Sequence, residues 1–165
     1  MRSAAAAWTA AAIPRGPSKV DANGAWGTVE VALAALRALE PVGLELCEEP
    51  VHGVELLREV QAHTKVTIAM DETHSPGAGA TRAVCLKVTR GGITGVLADA
   101  RAARAAGADV YLASTFDGPR GIAAAVHTAA ALRITRSCGL ATLPAAGALT
   151  PRDGVIEVPQ ITGLA

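Results

Sequence analysis

The chain has 165 residues, 15 Lys plus Arg against 15 Asp plus Glu, and half of its residues are hydrophobic. That length predicts one domain with a sizeable core, and the balanced charge argues against a nucleic-acid or membrane-surface partner. No apolar run is long enough to predict a membrane-spanning helix. The apolar content is mostly Ala and Val, with Trp8, Trp26, Tyr111 and Phe116 as the aromatics, which suits close helix–sheet packing.

Residues 2–12 read as a helix stopped by Pro14. The same opening, an arginine followed by an alanine run, also has a faint likeness to a signal peptide, although alanine makes a weak apolar region. Lys19–Ala22 reads as a strand. Thr28 caps a helix to Glu40 with Val29, Leu33, Leu36 and Leu39 inward, ended by Pro41 and Gly43. Leu44–Cys47 is the next strand, Val54–Gln61 a helix with Leu56, Leu57 and Val60 inward, and Lys65–Met70 a strand. Residues 72–82 hold Pro and Gly without helical period and read as a loop. Ala83–Val88 is a buried strand, Gly91–Gly92 opens a helix to about Ala106, and Asp109–Ala113 is another strand. Gly118–Leu132 is a helix, Ser137–Thr142 a last short strand, and residues from Gly147 a tail with a brief strand-like GVIEVP. Strands alternating with helices predict an α/β protein with a parallel sheet of about six βα units.

Chemistry concentrates at the strand ends. Asp21 in KVDANGAW, Glu48 in LELCEEP and Asp71 in VTIAMDET each end a predicted strand, and Lys87 in AVCLKVTRGG ends the next, at spacings of 27, 23 and 16 residues. The first two spacings approach one βα unit of a parallel barrel, about 30 residues. Such strands bring their C-terminal ends to one face, where three carboxylates suit a hard divalent cation and a lysine can move protons. Each residue also has a plainer reading. Asp21 closes an Asx turn with Asn23, and Glu48–Glu49 and Asp71–Glu72 meet solvent after apolar strands. Lys87, costly to bury unpaired, forms a structural ion pair. Lys19 shares the face of Asp21 and reads as a second ion-pairing lysine beside the acids. Gly91–Gly92 is either a tight turn or a cluster of backbone N–H groups for a substrate carboxylate. Ser114 and Thr115 end the following strand, where a substrate would be gripped. Cys47, Cys85 and Cys138 have no metal-ligand spacing and read as free thiols of a cytosolic protein. The four histidines show no ligand spacing; His63 and His127 lie on predicted helices, and His74 falls in the loop after Asp71, where it could face the site.

Taken together, KVDANGAW, CEEP, MDET and LKVTRGGI resemble the successive strand motifs of the barrel domain in the enolase superfamily, muconate-lactonizing subgroup. SCGLATL and the ending GVIEVPQITGLA resemble the o-succinylbenzoate synthase family more particularly. The resemblance implies a (β/α)8 TIM-type barrel, here incomplete, as one unit over residues 1–165. Residues 1–14 would be a remnant helix and 147–165 a C-terminal tail. It implies Mg2+ on Asp21, Glu48 and Asp71, acid/base lysines Lys87 and Lys19, and a small carboxylate substrate near Asn23, Gly91, Gly92, Ser114 and Thr115. The implied reaction is dehydration through an enediolate, in menaquinone synthesis. Epimerase, racemase or cycloisomerase chemistry of the same subgroup is the alternative, and a non-catalytic remnant is the third reading. In that family the base belongs to a K-x-K motif one strand before the aspartate, and Lys19 is the only lysine before Asp21. The expectation is therefore that the first two strands and the N-terminal capping domain are absent. Open sheet edges would then favour pairing with another copy or with the missing segment.

Overall fold

The structure, a computed structural model, describes residues 18–142, 149–160 and 163. Five strands form one sheet in sequence order: β1 (Ser18–Asp21), β2 (Leu44–Glu48), β3 (Thr67–Met70), β4 (Ala83–Leu86) and β5 (Asp109–Leu112). Every pairing is parallel. Four helices connect or follow them: α1 (Val29–Ala38), α2 (Val54–Ala62), α3 (Val88–Ala105) and α4 (Pro119–Ala131). The helices expected over residues 2–12 and 1–14 and the first residues of the tail lie outside the described residues.

Local chemistry accounts for the helix ends. Thr28 Oγ1 accepts from the Val31 N–H, as expected of an N-cap, and Gly43 in the left-handed region closes the turn after α1. Within α3, Gly91 and Gly92 depart from helical geometry, and Gly92 has φ +64 with ψ −173, a conformation only glycine adopts easily. The helix proper therefore begins after the glycine pair, as expected.

Strand alternation sorts the core into two sides. Cys47, Ile68 and Met70 point outward against Val29, Ala32, Leu36, Leu57 and Val60 of α1 and α2. Val84, Leu86, Val110 and Leu112 point outward against Val96, Ala100, Ala103 and Ile122 of α3 and α4. Leu46, Ala69, Ala83, Cys85 and Tyr111 point the other way and pack together on the inner face. Lys19 of β1 reaches across that face to lie 4.8 Å from the centroid of the Tyr111 ring of β5. The sheet is thus curled, and it forms an arc of a (β/α)8 barrel with its helices outside.

Three expectations need correction. The sixth strand, read at Ser137–Thr142, is reduced to a single bridge between Ala113 and Gly139. Arg136 just before it turns aside to pair with Asp109 and Glu45, and Cys138 packs on the core. Likewise GVIEVP is a turn closed by an Arg152–Val155 bridge, not a strand. On α2, Leu56 is 38% exposed and only Leu57 and Val60 face inward among the leucines and valine expected there.

Candidate active site at the strand C-termini

Parallel register sets the site. Asp21 is aligned with Glu48 across β1 and β2, and Asp71 follows β3 directly as Lys87 follows β4. All four lie at the C-terminal end of the sheet, the end where barrels of this kind carry their chemistry.

Asp71 is fully buried and receives the Lys87 ammonium on Oδ2. Arg90 donates to the Asp71 carbonyl at 3.0 Å, and its Nη2 stands 2.6 Å from Oδ1. That second approach lacks hydrogen-bond geometry, so Oδ1 is a buried oxygen accepting no hydrogen bond. Burial alone would push the Asp71 carboxyl up; hydrogen bonds from Lys87 and Glu48 and the charges of Lys87 and Arg90 hold it below its ordinary value. Burial likewise lowers the Lys87 ammonium, but the Asp71 carboxylate outweighs that and raises it. Glu48 accepts from the Tyr111 hydroxyl. Its carboxyl is pushed up to about 7, first by burial and then by Asp71 and Asp21 nearby, with the Tyr111 hydrogen bond opposing.

Glu48, Asp71 and Cys85 bring one ligand atom each within 4.8 Å of one another. Asp21 lies outside that group of three, and its Oδ1 accepts the Asn23 N–H at 2.9 Å in an Asx turn. Two crowded carboxylates, one with its proton retained to near neutrality and the other with a buried oxygen that accepts no hydrogen bond, fit a divalent cation with oxygen ligands. The Cys85 thiol does not fit a hard cation, because burial raises its pKa and keeps it protonated.

The other expected residues line the same rim with partners of their own. Lys19 sits two residues deeper than Asp21, and its Nζ donates to the Ser137 carbonyl at 2.6 Å. Among the described residues it pairs with no carboxylate within 4.0 Å, and burial lowers its pKa. Asn23 has φ +46 and is exposed. Gly91 and Gly92 are exposed at the start of the helix proper. Ser114 Oγ lies 2.8 Å from Thr142 Oγ1, and Thr115 Oγ1 donates to Thr89 Oγ1 at 3.3 Å, tying the β5 end to α3. His74 pairs with Asp99 at 3.5 Å, so it is held against α3.

Tyr111, Arg90 and Glu49 join the site although the sequence pattern does not single them out. Tyr111 had a signal, since it lies on the opposite face from Val110 and Leu112 of its strand. Glu49, fully buried, looked like a solvent-facing neighbour of Glu48.

A parallel half-barrel with acids and a lysine at successive strand ends defines an enolase-type barrel domain. The Enolase C-terminal domain-like family matches residues 2–165, and the chain belongs to that family. It is 37% identical over 163 residues to the o-succinylbenzoate synthase of Thermobifida fusca, covering 90% of this chain and 50% of that protein. The o-succinylbenzoate synthase of Mycobacterium marinum is 32% identical over 167 residues, covering 88% and 50%. The chain thus spans about half the length of the curated relatives it matches. Among solved structures, the substrate-liganded L-Ala-D/L-Glu epimerase of Bacillus subtilis superposes with a TM-score of 0.69 at 30% identity, over 76% of this chain and 39% of that one. The Enterococcus faecalis dipeptide epimerase, complexed with Mg and a dipeptide, gives the same TM-score and identity over 74% and 38%. Among the described residues no helix is long and apolar enough to cross a membrane.

Proposed function

We propose that this chain is the metal- and proton-handling part of an o-succinylbenzoate synthase-type lyase of menaquinone synthesis, working in the cytoplasm on a small carboxylate. The observation that carries this reading is the meeting of Lys87, Asp71 and Glu48 at consecutive strand ends. Asp21, Glu48 and Asp71 would hold Mg2+. When bound there, it supplies a Lewis acid for the substrate carboxylate.

The chain's own residues divide the remaining work. The Lys87 ammonium, its pKa raised by Asp71, keeps its proton and offsets negative charge developing beside the substrate carboxylate. Lys19, with its pKa lowered by burial, gives up its proton more readily than Lys87 and so is the candidate base, although its Nζ is engaged by Ser137. Asn23, the N–H groups after Gly92, Ser114 and Thr115 surround the rim where the rest of the substrate would sit. In the reaction a C–H bond next to the carboxylate breaks and its electron pair forms a carbon–carbon double bond. The C–H proton passes to a neutral amine, for which Lys19 Nζ is the candidate; the neighbouring C–O bond breaks, and the departing hydroxide takes up a proton from the ammonium so formed and leaves as water.

The test is an assay of the cyclohexadiene precursor with Mg2+, using the chain alone and mixed with the N-terminal half of the Thermobifida fusca relative. The expected result is loss of water in the mixture and its disappearance with Lys87→Ala. Turnover indifferent to Lys87→Ala, or none in either sample, would contradict the reading. The two epimerase structures at 30% identity favour a second reading, in which the same proton loss is followed by reprotonation. Exchange of a dipeptide α-proton with deuterated solvent, without dehydration of the precursor, would select it.

A further inference from the structure

Tyr111 is the one tyrosine of the chain, and it stands on β5 with 2% of its surface exposed. Its ring packs with Leu46 and Cys85 on the inner face of the sheet. Lys19 Nζ lies 4.8 Å from the ring centroid, a cation–π distance, and is anchored on the other side by the Ser137 carbonyl. The ring is therefore held on both faces of the barrel interior. Its hydroxyl donates to Oε2 of Glu48 and to no other group among the described residues.

Oε2 of Glu48 is thus taken by the Tyr111 hydroxyl, and Oε1 is the oxygen that Tyr111 does not engage. The two common hard cations differ in how they use a carboxylate. Mg2+ demands near-octahedral geometry and takes single oxygens, whereas Ca2+ accepts more ligands and often draws both oxygens of one carboxylate. We propose that Tyr111 is a positioning residue that restricts Glu48 to single-oxygen ligation and so sets the preference of the site for Mg2+ over Ca2+. This rests on the metal-site reading given above.

The test is a calorimetric titration of Mg2+ and of Ca2+ into the chain and into Tyr111→Phe. Phenylalanine keeps the packed ring and removes only the hydroxyl. The expected result is a shift of the affinity ratio toward Ca2+ by about tenfold, the order of effect of one hydrogen bond to a charged group. An unchanged ratio, with Mg2+ still binding, overturns the proposal and leaves the metal site standing. Failure of the unsubstituted chain to bind either cation overturns the metal-site reading and this inference with it. A second measurement covers the case in which the variant does not fold. The tyrosine doublet in the ultraviolet resonance Raman spectrum of the unsubstituted chain, resolved from the bands of Trp8 and Trp26, reports this one hydroxyl. Saturating Mg2+ is expected to leave the hydrogen-bonded doublet in place and saturating Ca2+ to shift it; the same doublet with either cation bound overturns the proposal.

Discussion

The backbone N–H of Asp71 donates to Oε2 of Glu49 at 2.7 Å, and both residues are completely buried. Oε1 of Glu49 accepts from the Thr73 N–H at 2.9 Å, from the Thr73 hydroxyl and from His52 Nδ1 at 3.2 Å. A charge removed from water must be paired in this way. A carboxylate at the end of β2 therefore holds the chain as it leaves β3, where Asp71 sits.

Glu49→Ala leaves the Asp71 and Thr73 N–H groups without their acceptor. The expected loss is about 3 kcal/mol of folding stability. Urea unfolding measures it, and a loss too small to shift the midpoint would show that Glu49 does not hold this loop.

Glu48 gives the stability a pH slope. Its carboxyl, ordinarily near 4.5, is raised to about 7 by burial first and by Asp71 and Asp21 next. Between those two values the folded chain keeps a proton that the unfolded chain has released, so stability falls as pH rises through the window, on the order of 3 kcal/mol from this group. Asp71 works in the opposite sense. Its contribution is present above 3.8 and is lost as pH falls through its lowered folded value. Urea midpoints should therefore decline from about pH 5 to about pH 7, and saturating Mg2+ should flatten the decline. A midpoint that climbs over that range without Mg2+ would refute the assignment.

Gly24 is required by its surroundings. It has φ +70, its N–H donates to the Glu49 carbonyl at 2.6 Å, and a Cβ built on it would lie 2.1 Å from His52 Nε2. Gly24→Ala is expected to cost about 1–2 kcal/mol, partly through strain at positive φ. His52 is an exposed side chain that can move, so Gly24→Ala combined with His52→Ala should recover part of the loss in thermal melts. No recovery would assign the whole cost to the backbone.

The run AVCLKV made Lys87 legible, because a lysine in a doubly buried strand needs a partner, and Asp71 is that partner. The common end of the sheet was legible too, since parallel strands alternating with helices leave little topological choice. The division between Glu48 and Glu49 was legible only through the family likeness. Neighbouring residues of a strand face opposite sides, but where the strand stops decides whether the second acid meets water or a loop. Here the backbone turns at Glu49, with φ +38, and the loop from β3 folds over it. Tyr111 comes from three strands away, so its contact with Glu48 depends on the curl of the sheet, which local pattern does not encode. The sixth strand failed for a similar reason. Ser137–Thr142 has an apolar pattern, yet only Gly139 pairs, with its N–H on the Leu112 carbonyl and its carbonyl on the Ser114 N–H.

The proposed divalent-cation site at the C-terminal end of this sheet rests on Asp71, with Glu48 and Asp21. Titrating Mg2+ into the chain and into Asp71→Ala, by calorimetry at about pH 8, where the Glu48 carboxyl is ionised, tests it most directly. Saturable one-to-one binding by the unsubstituted chain and none by a folded Asp71→Ala is the expected result. Equal binding by the two proteins would contradict it.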